Sequence, residues 1–224
     1  MDMQAAARMR YSQVAIWLHW AIAAFILFNL ATGLLFDEMS KGVRGALLPI
    51  HISSGITVLA LTVVRIVWRL THRPPPMLPM AVWEKGLAHS VHFLLYVAML
   101  GMPLTGWALI SAHPSTPPAA AGTAAPRPSD QPPGALPPPK PRGPTMIWGV
   151  IPLPPLAPVV HIGDQPDGAT KLKAAHEQFE NLHGTGGWIL LALFVLHVLG
   201  ALKHQFVDRM RELGRMGLGR REPA

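Results

Sequence analysis

Three observations predict an all-α fold: an integral membrane four-helix bundle with a long Pro-rich external loop between the third and fourth helices. Half of the 224 residues are hydrophobic and only 14% are charged, a balance that suits a bilayer better than water. Four apolar runs are each about 20 residues or more, enough to cross about 30 Å of hydrocarbon. The segment before the last run is so rich in proline that neither a helix nor a sheet ladder can continue through it. Of the 24 prolines, 16 fall between positions 114 and 158.

The first run, residues 14–36, is too long for a signal-peptide core and has no A-x-A-like cleavage site after it, so it is expected to stay as a span. The second covers residues 47–68. The third, residues 87–110, holds Pro103, whose kink a bundle tolerates because neighbouring helices satisfy the freed backbone groups. The fourth covers roughly 182–206, with a clean apolar core only over 188–202 and histidines towards its ends. The whole of 1–224 is then one membrane domain. Residues 112–173 are expected to be a periplasmic loop, extended and largely disordered through the Pro-rich, low-complexity part at 114–144. Its later stretch, residues 145–156, is apolar and carries Trp148, so it is expected to fold back onto the outer end of the bundle.

An even number of spans puts both termini on one side. Segments 1–13, 69–86 and 203–224, with Arg65, hold 12 of the 19 Lys and Arg and give that side a net charge of +7, while the other side is neutral. Positive charge favours the cytoplasm. The prediction is a multi-pass protein of the bacterial cytoplasmic (inner) membrane with both termini cytoplasmic. The basic balance then reflects topology and contact with anionic membrane lipids, and nothing else points to nucleic acid. Trp17, Trp20, Trp68 and Trp107 fall near the expected interfaces, where indoles anchor helices. There is no cysteine, which excludes disulfides, iron–sulfur clusters and covalently attached c-type haem.

His183 and His197 lie 14 residues apart on the fourth run. On a helix that is roughly 21 Å of rise, with the two directions within roughly 40° of each other. Ionisable side chains inside a span are costly and default to a functional reading. His19 in the first run matches the depth of His197, and His51 in the second matches His183. The pairs His19/His197 (inner) and His51/His183 (outer) suit two bis-histidine haem b groups held without covalent attachment, the four imidazoles ligating the iron. Ala23, Gly55, Gly186, Gly187, Gly200 and Ala201 lie within about one turn of these histidines, leaving space for a flat macrocycle; ordinary helix packing is the alternative. A zinc site would gather its ligands at one depth instead. His176 is a second candidate near the fourth span, but only His183 has the 14-residue interval. His89 and His92 share a face of the third span near the inner haem, where they would contact that haem, its propionates or a quinone. Arg65, Arg69 and Lys203 at the inner end, and Lys41 and Arg44 at the outer end, are candidate propionate partners or snorkelling charges.

The motifs Tyr11-Ser-Gln-Val-Ala-Ile-Trp-Leu-His-Trp20, His51-Ile-Ser-Ser-Gly55 and Arg65-Ile-Val-Trp-Arg69 stand in order along the chain. They are followed by Gly86-Leu-Ala-His-Ser-Val-His-Phe-Leu-Leu-Tyr96, Pro103-Leu-Thr-Gly-Trp107, His183 and His197-Val-Leu-Gly-Ala-Leu-Lys-His204, then Met210 and Met216. Over residues 8–112 and 145–216 the chain resembles the bacterial cytochrome b561 family of small di-haem membrane cytochromes. The resemblance implies a four-helix bundle with two haem b groups on His19, His51, His183 and His197. It also implies electron transfer to or from the quinone pool, with periplasmic superoxide oxidation as one associated activity. The Pro-rich insertion at about 114–144 departs from the family pattern and leaves the periplasmic donor or partner protein open. The expected function is electron transfer across the cytoplasmic membrane between a periplasmic donor and quinone. The alternative is a cytochrome b anchor subunit that passes electrons for a docked hydrogenase- or dehydrogenase-like partner, with no substrate site of its own. A haem- or metal-handling transporter is a weaker third option.

Overall fold

The computed structural model describes residues 10–77, 79–112, 144–210 and 212–218. Apart from its last position, the Pro-rich stretch 114–144 lies outside the described residues. Helix α1 (Gln13–Leu35) starts at Ser12, whose Oγ accepts from the Ala15 N–H at 3.3 Å, satisfying one of the donors a helix start leaves open. A 3-10 turn (Phe36–Glu38) leads to α2 (Lys41–Thr71), capped in the same way by Ser40. Helix α3 (Val82–Ser111) contains Pro103 and begins with Glu84 accepting from the Ala81 N–H. Strands β1 (Met146–Ile147) and β2 (Ile151–Pro152) form a small antiparallel hairpin. Helix α4 (Ala157–Gly163) follows, then α5 (Gly168–Leu202), which runs into a π-helical turn (Lys203–Val207). A short α6 (Glu212–Arg215) ends the described chain.

Four helical stretches, Gln13–Glu38, Lys41–Thr71, Val82–Ser111 and Gly168–Val207, are long and apolar enough to cross a membrane, with mean hydropathy between 1.8 and 2.0. Helix α5 begins at Gly168, well before the apolar run at 182. The added turns are built from strong helix formers such as Lys171, Ala174 and Glu177, and an apolar run measures membrane depth rather than helix length. Helix α4 is a second departure from an unstructured loop. Pro158 occupies its first turn, where the missing N–H costs nothing, so this proline starts a helix instead of breaking one.

Helix α1 packs mainly on α2 and α3 mainly on α5; α2 and α3 join the two pairs, whereas α1 and α5 touch only lightly. The core is made by ladders of four-residue spacing, Ile22, Ile26 and Leu30 on α1 and Val91, Leu95 and Met99 on α3, closed by Val58 and Leu190. Residues one turn apart lie on the same face, so each ladder is one continuous ridge. Outward faces keep exposed apolar side chains such as Leu27, Val64, Val97 and Val195, as lipid requires. The segment after the Pro-rich stretch folds back on the bundle. The Trp148 N–H donates to Ser53 Oγ at 2.9 Å and its indole N–H to Thr57 Oγ1 at 3.1 Å. Trp107 donates to the Pro154 carbonyl, and the Leu156 N–H to Ser111 Oγ. We call this the hairpin end, and the opposite end, with Arg65, Arg69 and Lys203, the basic end. There α6 and its following turn tuck beneath the bundle, with Trp20 donating to the Met216 carbonyl and the buried Arg215 to that of Pro76.

Candidate cofactor site

Two pairs of half-buried histidines meet at two depths. At the hairpin end, His51 of α2 and His183 of α5 have ring centres 6.2 Å apart, inclined at 75°. At the basic end, His19 of α1 and His197 of α5 are 6.0 Å apart at 68°. Metal–imidazole bonds are about 2 Å long, so two nitrogens on opposite sides of one metal stand about 4 Å apart and their ring centres roughly 6 Å apart. Both pairs have that separation. His176, seven residues before His183, lies beside Glu180 at 3.9 Å.

The hairpin-end pair opens onto a cleft of about 680 Å³, including the space at its mouth, lined by Gly33, Gly55, Gly184 and Gly187 among apolar side chains. A flat macrocycle needs such a wall, and a Cβ at Gly33 or at Gly106 would press on the histidine rings themselves. At Gly33 it would sit 3.1 Å from His51 Cε1, and at Gly106 3.0 Å from His183 Cε1. Gly186 does different work: a Cβ there would strike Met102 Sδ, so it serves the contact between α3 and α5. The residues present therefore fit a planar group with two trans imidazoles.

Each hairpin-end ring is also held from behind. Thr32 Oγ1 lies 3.0 Å from His51 Nδ1, and Thr105 Oγ1 lies 3.0 Å from His183 Nδ1. Among the described residues, neither the His19 nor the His197 ring carries a hydrogen bond. The basic end has a third imidazole instead, His92 of α3, with its ring centre 5.1 Å from that of His197. Its Nδ1–H donates to the Ala88 carbonyl at 2.7 Å, as that of His89 does to Lys85. The shorter spacing is tighter than trans ligation to one metal needs, which favours His19 as the partner of His197. The sequence placed His92 near the inner haem, but not its ring turned against that of His197, because helix depth alone does not fix which way a ring turns.

Arg65 donates to Tyr96 Oη at 3.1 Å. Together with Arg69, Arg10 and Arg73 it lines a cavity at the basic end, closed by Tyr11 and Trp68. Thr62 Oγ1, one turn from Arg65 on α2, is the buried side-chain polar atom without a partner among the described residues. Such an orphan costs about 1–3 kcal/mol. Lys203 is already engaged, ion-paired with Glu84 and, at 2.8 Å, with Asp208. Glu84, His204 and Asp208 cluster closely enough for a cation, and Lys203 supplies it. At the hairpin end Arg44 faces Asp37 at 3.4 Å.

A family model described as prokaryotic cytochrome b561 matches residues 10–219. A probable superoxide oxidase, CybB, of Yersinia pestis is 28% identical over 102 residues, 45% of this chain and 58% of that protein. Cytochrome b561 homolog 1 of Escherichia coli K12 is 30% identical over 105 residues, 46% of this chain and 60% of that protein. These two matches thus span about three fifths of each relative's length. Cytochrome b561 homolog 2 of the same organism is 26% identical over 210 residues, 92% of this chain and 90% of that protein. The chain belongs to the prokaryotic cytochrome b561 family of membrane electron-transfer proteins.

Proposed function

We propose that the chain is a di-haem b cytochrome carrying electrons across the cytoplasmic membrane between a periplasmic donor and the quinone pool. The observation that carries this reading is a pair of facing imidazoles at each of two depths, their ring centres 6.2 Å apart at one end and 6.0 Å at the other. When bound, haem supplies one-electron chemistry at iron, and the protein supplies ligation, burial and position. His51 and His183 would hold one group and His19 and His197 the other. The apolar ladders of α1 and α3 exclude water between the two levels. Arg65 and Arg69 would neutralise propionate carboxylates at the basic end, a role for which Lys203 is less available because two carboxylates already hold it. His89 and His92, each with Nδ1–H donating to its own helix, keep Nε2 free to accept from a quinol hydroxyl. By the positive-inside rule the basic end and both termini face the cytoplasm, and anionic lipids lie against it. Superoxide is the donor suggested by the Yersinia pestis relative's name.

Single His→Ala variants test the ligand set by reduced-minus-oxidised spectra. His19→Ala and His197→Ala should remove one spectral component, and His51→Ala and His183→Ala the other. Loss of a component in His92→Ala but not in His19→Ala would overturn the basic-end pair.

A further inference from the structure

We infer that Thr32 and Thr105 are positioning residues that fix the ring orientation and tautomer of His51 and His183 and thereby hold down the reduction potential of the hairpin-end haem. The inference rests on the ligand assignment proposed above. Each threonine hydroxyl has a single proton, and each spends it on its own helix. Thr32 Oγ1 donates to the Phe28 carbonyl at 2.9 Å, and Thr105 Oγ1 to that of Met102 at 2.8 Å. With respect to the rings, both oxygens therefore act as acceptors. With Nε2 of each ring given to a metal, the His51 and His183 Nδ1 atoms carry the proton and donate to the threonine oxygens 3.0 Å away.

The arrangement occurs twice. Thr32-Gly33 on α1 serves His51 on α2, and Thr105-Gly106 on α3 serves His183 on α5, once in each of the two closely packed helix pairs. In both, the threonine accepts from Nδ1 while the next residue, a glycine, lets the same ring lie against its helix. Accepting a hydrogen bond from Nδ1–H makes Nε2 a stronger donor to the metal. A stronger donor favours the more highly charged ferric ion, so the bond lowers the potential. The rings of His19 and His197 carry no hydrogen bond among the described residues, and Arg65 and Arg69 stand at that end of the bundle. A cation there favours the ferrous state. Both features separate the two levels in the same direction, with the hairpin end lower.

The test is spectroelectrochemistry of purified haem-loaded protein carrying Thr32→Val, Thr105→Val or the corresponding Ser. Valine keeps the shape and removes the acceptor; serine keeps the acceptor. Each Val variant should shift the reduction equilibrium of the hairpin-end component three- to tenfold towards the reduced form, tenfold being about 59 mV for one electron. Ser variants should stay within twofold of wild type, and the basic-end component should not move. Loss of the hairpin-end haem in Val but not in Ser variants would also support the role. Retained haem with a shift under twofold in both Val variants, an equal shift of both components, or equal haem loss in Val and Ser variants would overturn it. If His51→Ala and His183→Ala leave that haem in place, the ligand assignment has failed instead.

Discussion

At the residue scale, space around the rings is as specific as the rings themselves. Gly33 and Gly106 each leave room for an imidazole where a Cβ would come within 3.1 and 3.0 Å. Gly33→Ala or Gly106→Ala should turn the ring off its axis at an overpacking cost of about 1–3 kcal/mol. The expected outcome is selective loss or spectral broadening of the hairpin-end haem, read by pyridine haemochrome assay and low-temperature spectra. The histidines were legible in the sequence because an ionisable group in an apolar run is conspicuous, and the 14-residue interval of His183 and His197 sets two depths. Thr32 and Thr105 were not, since a hydroxyl bonded to its own helix leaves no trace in hydropathy or period. Lys203 read as a candidate propionate partner because its ion-pair partner Glu84 is 119 positions away.

At the element scale, two appendages close the bundle's ends. The hairpin turn takes left-handed backbone at Trp148 (φ 52°) and Gly149 (φ 71°); a tryptophan in that region is strained, and its two hydrogen bonds to α2 hold it there. Trp148→Ala should therefore free the hairpin with the bundle intact, seen as faster proteolysis within residues 144–156 and unchanged helix content. This fold-back was legible from the apolar residues after the prolines, whereas α4 was not, because a proline-rich stretch hides a proline that starts a helix. At the basic end, Asp208 lies just past the α5 span. Hydrogen bonds from Lys203 first and His204 second hold its carboxyl below the ordinary value of 3.8. A depressed carboxyl contributes stability above the unfolded value and loses it as pH falls through the folded one. Acidification below about pH 4 should thus loosen the π-helical turn and α6, as increased amide exchange over residues 203–218, and Asp208→Asn should do so at neutral pH.

At the scale of the whole molecule, two closely packed helix pairs meet through α2 and α3 and stay thinly joined between α1 and α5. Helix α5 spans both levels and contributes one imidazole to each, so its His183 and His197 set the vertical separation. The number of spans was legible because bilayer thickness acts on every residue of a run. The thin α1–α5 seam was not, because side-chain packing between distant helices has no local signature. The most direct measurement is the haem-to-protein ratio of the purified chain by pyridine haemochrome and amino-acid analysis. Two non-covalent haem b groups per chain is the expected result; one or none would contradict the two-level site.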